Sequence, residues 1–279
     1  MKNVSITLGA ALAGRYRVER ELGRGGMATV FLAVRADDDR PVAVKVLHPQ
    51  FAMALGPERF HREIEILSRL RHERIVPVLE SDEAGALLYL VMPYAPGETL
   101  RARLDREGRL PMAAVLSISA DIAEALDYAH GQNVLHRDIK PENVLLDGDR
   151  ALVCDFGLAR AINRAAMEPL SSSGLVIGTP AYMSPEQGMA EEDLSPACDI
   201  YALGCVVYEM LTGELPFTGA TAQAVIARHL ADRPRSMRAL RPGLPDHVEH
   251  AVFAALAKEP AERPGSAGAM AQLLRPARG

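Results

Sequence analysis

One block of the sequence, residues 136–157, constrains this chain more than any other segment; it reads HRDIKPENVLLDGDRALVCDFG. The block sets two carboxylates, one amide and one lysine at fixed spacings, in Asp138, Lys140, Asn143 and Asp155. Carboxylate and amide oxygens are the ligands that Mg²⁺ prefers, and a lysine supplies a positive charge for an anionic group. The spacing therefore indicates a site that holds metal ions, a triphosphate and an acceptor hydroxyl together.

Predicted secondary structure divides the chain into a strand-rich part and a helical part. Apolar periodicity predicts strands at 16–22, 29–35 and 41–47, strand-like runs near 76–80 and 87–92, and one helix opening at Pro57. After Pro96 the pattern is mainly helical, with segments at 112–130, 199–211, 225–230, 248–256 and 267–274. Segment 199–211 is apolar nearly all the way round, which predicts a buried central helix. The boundary between the two parts falls near residues 92–97.

A glycine-rich turn follows the first predicted strand, in the sequence GRGGMATV at residues 23–30. Glycines let a backbone approach phosphate oxygens closely and present N–H groups to them. Such a turn is also compatible with a plain hairpin or with a dinucleotide-binding loop. A dinucleotide-binding loop leads into a helix, whereas residues 30–34 read as a strand. The hairpin and the phosphate-binding turn remain open at this point.

Lys45 lies inside the apolar strand at 41–47, where a charged side chain needs a partner. Two glutamates of the following helix, Glu63 and Glu65, are candidates for that partner. A lysine in this setting favours the phosphate-binding interpretation of the nearby glycine-rich turn.

Taken together, these motifs resemble those of the protein kinases. His136-Arg137-Asp138 with Asn143, and Asp155-Phe156-Gly157, are similar to the catalytic loop and the metal-binding triplet of that family. The resemblance covers residues 14–275 and implies an α+β, bilobal protein-kinase fold. Its small lobe (14–92) is an antiparallel β-sheet with one main helix, its hinge spans 93–97, and its larger lobe (98–275) is mainly helical. Residues 1–13 then form an N-terminal segment outside the domain.

The resemblance also implies that the chain binds ATP. Lys45 would hold the α- and β-phosphates, and Glu63 would hold Lys45, because Glu63 rather than Glu65 has the family's offset from Leu67 and His72.

Adenine would bond to the main chain of the hinge, at the carbonyl of Pro93 and the N–H of Ala95, with Met92 gating the back pocket. The ATP-binding set implied in this way is Leu22, Gly23, Arg24, Gly25, Gly26, Met27, Ala28, Thr29, Val30, Ala43, Lys45, Met92, Pro93, Ala95 and Leu145.

Four residues of the block carry the chemistry that the resemblance implies. Asp138 would orient the acceptor hydroxyl and receive its proton, and Lys140 would neutralise the γ-phosphoryl group in transit. Asn143 and Asp155 would bind Mg²⁺, or Mn²⁺ in its place. Lys140, two residues after Asp138, is typical of serine/threonine kinases, so the expected substrates are serine and threonine hydroxyls of proteins.

A second segment, GTPAYMSPE at residues 178–186, is similar to the peptide-docking segment of the same family. Thr179 would contact Asp138 and Lys140. Ser184 stands where the family usually has alanine, and Tyr201 replaces a tryptophan that is common in eukaryotic kinases. Tyr201, with the sequences GGM at 25–27 and SPEQ at 184–187, resembles the eukaryotic-like (Hanks-type) kinases of bacteria.

Several further residues have structural roles by the same resemblance. His136 is expected to pack on Phe156 rather than to act as an acid or base, and Asp199 is expected to cap the backbone of the catalytic loop. Glu186 is expected to pair with Arg263 and so tie the docking segment to the large lobe.

Bulk properties restrict the class of protein. The formal net charge of −5 gives no basic excess that would point to nucleic acid or an anionic membrane surface. No apolar run approaches the length of a membrane span, and we do not interpret the N-terminal residues as a secretory signal. Cys154, Cys198 and Cys205 have no metal-ligand spacing, which fits a reduced, cytoplasmic setting. Bacterial relatives often carry a membrane span, so the chain is expected to be either a soluble kinase or the cytoplasmic part of a longer membrane-anchored protein.

Control is expected to involve the serines of residues 171–174, SSSG. Arg137 and Arg160 have no acidic partner that is evident in the sequence, and a phosphate can accept paired hydrogen bonds from arginine. We expect phosphorylation in trans on Ser171 and Ser173, and to a lesser extent on Ser172, through transient self-association. Thr179 is the next candidate.

Two alternative functions compete with an active protein kinase. A pseudokinase that acts as a binding module is disfavoured because Lys45, Glu63, Asp138, Asn143 and Asp155 are all present. A small-molecule phosphotransferase of the same fold is disfavoured by the segment 178–186 and Arg263, which together form a peptide-docking shelf.

Overall fold

A computed structural model of the chain describes residues 8–85, 87–157 and 180–276. These residues belong to two compact units. In the described part, the first unit comprises the residues up to Arg71 together with Val76–Pro96, and the second comprises His72–Ile75 and the residues from Gly97 onward. The first unit is rich in strands and the second is mainly helical, so the predicted α+β class is confirmed.

An antiparallel sheet of five strands forms the first unit, in the order β1-β2-β3-β5-β4. The strands are β1 (Tyr16–Arg24), β2 (Ala28–Arg35), β3 (Pro41–Leu47), β4 (Glu80–Ala84) and β5 (Leu87–Pro93). Two helices follow β3, α1 (Pro49–Leu55) and α2 (Pro57–Leu67). Helix α2 begins at the predicted proline, whereas α1 was not predicted.

The strand expected near residues 76–80 is wrong, because β4 begins only at Glu80. Val76 and Val78 are nevertheless buried. A short apolar run shows that a segment is buried, but it does not show whether the segment is a strand or an ordered loop.

One face of this sheet is covered by residues that precede the first strand. Leu8 and Leu12 are fully buried in the same apolar cluster as Val44 of β3 and Val91 of β5. The N–H of Leu12 donates to the carbonyl of Leu8 at 2.9 Å, so the two side chains are one helical turn apart. The first thirteen residues therefore include part of the core of this unit.

The second unit contains eight helices among its described residues. They are α3 (Leu100–Glu107), α4 (Met112–Gly131), α5 (Pro185–Gly188), α6 (Ala197–Thr212), α7 (Ala222–Ala231), α8 (Met237–Leu240), α9 (Asp246–Ala255) and α10 (Ala267–Leu273). Every residue of α6 from Cys198 to Leu211 is buried, which confirms the predicted central helix. In the described ranges, no helix combines the length and apolar character needed to cross a membrane.

A small antiparallel sheet in the second unit was not predicted. It consists of β6 (Glu98–Thr99), β7 (Val144–Asp147) and β8 (Arg150–Val153). Gly97, just before β6, has a φ of 144°. A Cβ atom on this residue would lie 2.1 Å from the carbonyl oxygen of Leu146. Only glycine fits there. The β7–β8 hairpin brings its two ends together, and Asn143 precedes the first strand while Asp155 follows the second.

Candidate active site

The carboxylate of Asp138 is held by two side chains of its own loop. Lys140 Nζ donates to Asp138 Oδ2 at 2.6 Å. Asn143 Nδ2 donates to the Asp138 carbonyl at 2.8 Å and to Asp138 Oδ2 at 3.1 Å. The side chains of Asp138 and Lys140 are largely buried, with 19% and 15% exposed. This arrangement fixes the direction of one carboxylate oxygen and leaves the group partly open to solvent.

Asn143 and Asp155 are brought together by the hairpin that separates them in sequence. The N–H of Cys154 donates to the carbonyl of Asn143 at 3.0 Å, and Asp155 is the next residue. Since Nδ2 of Asn143 bonds to Asp138, its Oδ1 is turned away from Asp138. An amide oxygen and a carboxylate suit Mg²⁺, which commonly takes one or two protein ligands and completes its shell with waters and phosphate oxygens. The described residues contain no cluster of three or more His, Cys, Asp or Glu side chains that could hold a metal ion by themselves.

Two non-glycine residues at this site have backbone angles in the left-handed region. Arg137 has a φ of 68° and Asp155 a φ of 66°. Such conformations cost free energy and persist where the surrounding contacts fix them, often at functional sites.

His136 is fully buried, and both of its ring nitrogens have partners. Because a carbonyl can only accept, Nε2 donates to the Cys154 carbonyl at 2.9 Å. Nδ1 then accepts from the N–H of Asp138 at 3.2 Å. The His136 ring meets Phe156 edge to face, with centroids 4.6 Å apart. These contacts support a structural role for His136, since no ring nitrogen is left to exchange a proton with a substrate.

Asp199, in the first turn of α6, binds the backbone of the catalytic loop. Its two carboxylate oxygens accept from the N–H of His136 at 2.8 Å and the N–H of Arg137 at 2.7 Å. His130 of α4 donates to Oδ2 at 2.8 Å. Burial alone would raise the pKa of Asp199, but the hydrogen bond and charge of His130 and the backbone N–H groups hold that pKa below its ordinary value. The carboxylate therefore stays ionised and holds the loop in place.

Glu186 and Arg263 form a bidentate ion pair inside the second unit. The two N–O distances are 2.6 and 2.8 Å, and the side chains are 4% and 0% exposed. Arg263 also donates to the carbonyls of Ala197 and Lys258 at 2.9 Å each. A buried pair with its remaining donors satisfied is costly to break from one side, because the other charge is left unpaired.

Sequence reasoning missed the role of Gln187. Its N–H donates to Ser184 Oγ and its Oε1 accepts from the N–H of Ser184, which together form a capping box at the start of α5. Its Nε2 donates to the carbonyl of Arg137 at 2.9 Å. The pattern Ser-x-x-Gln was a usable signal for the cap, but not for the contact with the catalytic loop.

A second missed group connects the docking segment to the central helix. Tyr182 donates its hydroxyl to Glu209 Oε2 at 2.6 Å, and Arg101 donates to Glu209 Oε1 at 2.7 Å. Burial and the neighbouring Glu209 raise the pKa of Tyr182, so its hydroxyl remains a donor. A glutamate within the apolar helix 199–211 was the signal, since a buried carboxylate needs partners.

The glycine-rich turn lies between β1 and β2 of the first unit, and it has a support that was not predicted. The N–H of Gly25 donates to the carbonyl of Ala28 at 2.9 Å, which closes the turn. His48 Nδ1 lies 3.1 Å from the carbonyl of Gly26, and His48 Nε2 lies 3.2 Å from Thr29 Oγ1. His48 therefore connects the turn to the end of β3.

The other residues of the expected ATP-binding set lie on several elements. Leu22, Gly23 and Arg24 are in β1, Ala28 to Val30 in β2, Ala43 and Lys45 in β3, Met92 and Pro93 at the end of β5, and Leu145 in β7 of the second unit. Lys45 alternates with Val44 and Val46, so it faces away from the apolar cluster that contains them. Glu63 is on α2. The pairing of Lys45 with Glu63 stays a prediction.

The regulatory positions fall outside the described residues. This applies to Ser171, Ser172, Ser173 and Thr179, and also to Arg160.

All three cysteines are buried thiols. Burial raises the pKa of Cys198 and that of Cys205, which keeps both thiols protonated and unreactive. Cys154 donates to the carbonyl of Asn143 at 3.4 Å, so it packs at the base of the hairpin.

Comparisons with known proteins show the family of the chain. The family model described as "Protein kinase domain" matches residues 16–274. The chain is 38% identical to the serine/threonine-protein kinase PknB of Mycobacterium tuberculosis, over 97% of this chain and 44% of PknB. It is 37% identical to the serine/threonine-protein kinase PrkC of Bacillus subtilis, over 92% of this chain and 40% of PrkC. The chain thus spans less than half the length of these relatives.

A solved structure shows a similar fold. The crystal structure of Rad53 1-466 in complex with AMP-PNP matches with a TM-score of 0.76 and 26% sequence identity, over 93% of this chain and 65% of that one.

Proposed function

Since the chain belongs to the protein kinase family, we propose that it transfers the γ-phosphoryl group of ATP to serine and threonine hydroxyls of proteins in bacterial signalling. The observation that carries this proposal is the Asp138 carboxylate, held at 2.6 Å by Lys140 and at 3.1 Å by Asn143. The relatives PknB and PrkC are bacterial serine/threonine-protein kinases by name, which supports the class of substrate.

In the proposed reaction Asp138 aligns the acceptor hydroxyl and takes its proton as the oxygen attacks the γ-phosphorus of ATP. The bond from that phosphorus to the β–γ bridging oxygen breaks, and ADP leaves with its electron pair. Lys140 neutralises charge on the phosphoryl group in transit, and Lys45, supported by Glu63, holds the α- and β-phosphates. Asn143 Oδ1 and the Asp155 carboxylate hold Mg²⁺, which when bound neutralises charge on the phosphate oxygens. Positioning and charge account for most of the rate, because phosphoryl transfer needs no covalent contribution from the protein.

The glycine-rich turn supplies backbone N–H groups to the phosphates, and His48 keeps that turn in shape. Adenine bonds to the main chain at Pro93 and Ala95. The segment 178–186 receives the peptide, and the buried pair of Glu186 and Arg263 anchors it. A pseudokinase is not favoured, because Asp138, Lys140 and Asn143 already form a connected set.

Control belongs to the same proposal. We propose that the chain phosphorylates itself in trans on Ser171 and Ser173, which requires transient self-association.

The proposed function is tested with labelled ATP, Mg²⁺ and a generic basic protein. We expect label on serine and threonine with the wild type and a loss of several orders of magnitude in turnover with Asp138→Asn, while nucleotide affinity is largely kept. Label on tyrosine alone, label on a small metabolite, or full activity of Asp138→Asn contradicts the proposal.

A further inference from the structure

His229 of α7 is a buried histidine that the proposed chemistry does not use. Its side chain is 1% exposed. Nδ1 lies 2.8 Å from the hydroxyl of Tyr201 in α6, and the imidazole lies 4.7 Å from the ring of Phe217, centroid to centroid. Helix α7 packs against the turn Pro180–Tyr182 and against α5, which both contribute residues to the docking segment, 178–186.

A continuous set of contacts connects His229 with Arg263. Lys258 Nζ donates to the carbonyl of His229 at 2.6 Å, and the carbonyl of Lys258 accepts from Arg263 at 2.9 Å. The Arg263 guanidinium lies 4.9 Å from the centre of the Tyr201 ring, and the Tyr201 hydroxyl is hydrogen-bonded to His229. Arg263 is the residue that holds Glu186. His229 is therefore fixed relative to one end of the docking segment.

The other ring nitrogen of His229 points to a second contact. Burial and the Lys258 ammonium lower the pKa of His229 to about 4, so the ring is neutral at neutral pH. A hydroxyl can donate to a ring nitrogen or accept from it. We assign the Tyr201 hydroxyl as the donor to Nδ1, which leaves the remaining ring proton on Nε2. Nε2 is buried and meets no partner at full hydrogen-bond geometry within the described ranges. The main chain of Ala181, in the turn Pro180–Tyr182 that packs against α7, acts against this lowering of the His229 pKa.

We propose that His229 is a positioning residue for peptide substrates, because its Nε2–H is directed at the Ala181 main chain and sets the position of the turn Pro180–Tyr182. Tyr201 holds the ring in the tautomer that presents this proton. His229 and Arg263 then fix two points of the docking segment, Ala181 and Glu186. This inference rests on the proposed function, since it concerns the affinity for the protein substrate.

Three variants distinguish the contribution of Nε2 from that of Nδ1. His229→Gln keeps a donor near Nε2, His229→Asn keeps an acceptor near Nδ1, and His229→Phe keeps only the ring. We expect His229→Phe and His229→Asn to raise the KM for a peptide about tenfold with the KM for ATP unchanged, and His229→Gln to restore the wild-type KM to within about twofold. Thermal melting of each variant is measured in parallel.

The outcomes distinguish positioning from a general structural role. A wild-type peptide KM in His229→Phe overturns the proposal, and so does an equal loss in the Gln and Asn variants accompanied by a change in the KM for ATP. If His229→Phe does not fold, the comparison of Gln with Asn decides.

Amide exchange of residues 180–188 provides a readout without catalysis. We expect faster exchange of the Met183 amide, which donates to the Pro180 carbonyl at 3.2 Å, in the Asn variant than in the Gln variant. If the wild type phosphorylates no protein, the proposed function fails, and the exchange result still decides the position of the turn.

Discussion

The side-chain amide of Gln187 donates to the main-chain carbonyl of Arg137 at 2.9 Å, which joins helix α5 directly to the residue before Asp138. Arg137 has a φ of 68°, and its N–H donates to Asp199 Oδ1 at 2.7 Å. The left-handed backbone of Arg137 is therefore fixed at its N–H and at its carbonyl.

Gln187→Met removes this contact with little change in side-chain volume. We expect kcat to fall about tenfold, because Asp138 loses part of the support for its orientation, with the KM for ATP unchanged. Ser184→Ala is the matched control, since it removes the capping hydroxyl and leaves the amide of Gln187 in place. Steady-state kinetics of the two variants check this, and an equal loss of kcat in both contradicts it.

Tyr182→Phe removes one of two donors to the buried carboxylate of Glu209. A hydrogen bond to a charged group is worth about 1.5–3 kcal/mol, and we expect a loss of unfolding free energy in that range. Tyr208→Phe in α6 is the control, because the Tyr208 hydroxyl donates to an uncharged carbonyl, that of Arg235, at 3.0 Å. Urea unfolding measures both variants. A smaller loss of unfolding free energy for Tyr182→Phe than for Tyr208→Phe contradicts a structural role for the pair of Tyr182 and Glu209.

Lys45→Met is expected to fold normally and to lose at least about a hundredfold in kinase rate, because a phosphate contact is removed. Arg40→Met, which changes an exposed cation just before the same strand, should leave the rate unchanged. Thermal melting and kinase rate are measured side by side. An active Lys45→Met protein excludes the role assigned to this lysine.

Stability is expected to fall in acid partly through His229. Its folded pKa of about 4 is below the ordinary histidine value, so the unfolded chain binds a proton first as the pH drops. Because the folded state keeps this ring neutral, the free energy of unfolding decreases progressively as the pH falls through about 6.5 towards 4. His229→Gln lacks this titration and should lose less unfolding free energy between neutral and acid pH. Urea unfolding at several pH values tests this. The same pH dependence of the unfolding free energy in the two proteins contradicts it.

Phosphorylation of the segment 171–173 is tested by mass spectrometry. We expect phosphate on Ser171 and Ser173 in active protein and none in Asp138→Asn, together with a lower rate for the doubly substituted Ser171→Ala, Ser173→Ala variant. An unchanged rate in that variant places the switch elsewhere.

The residues within the block 136–157 could be predicted because their relationships are local. Asp138, Lys140 and Asn143 contact one another across at most five positions, and a hairpin returns the chain to Asp155. Helix α6 could be predicted because its apolar residues continue all the way round, which only a fully enclosed helix tolerates.

What the sequence did not disclose depends on contacts between distant residues. Gln187 meets a carbonyl 50 positions away, and Tyr182 meets a glutamate 27 positions away. Polar side chains of this kind look the same in sequence whether they face water or a buried partner. The β6–β8 sheet was missed for a related reason, because its first strand is only the two residues Glu98–Thr99, too short to show a period.

Leu8 and Leu12 affect how the protein should be handled. The family model starts at residue 16, yet both leucines complete the apolar cluster of the first sheet. A shortened version that starts at Tyr16 would expose the apolar face that these leucines cover to water. Exposed apolar patches promote aggregation. Low yield or aggregation of such a version would then result from the missing leucines and not from a defect in the kinase fold. Restoring residues 8–15 should remove the aggregation.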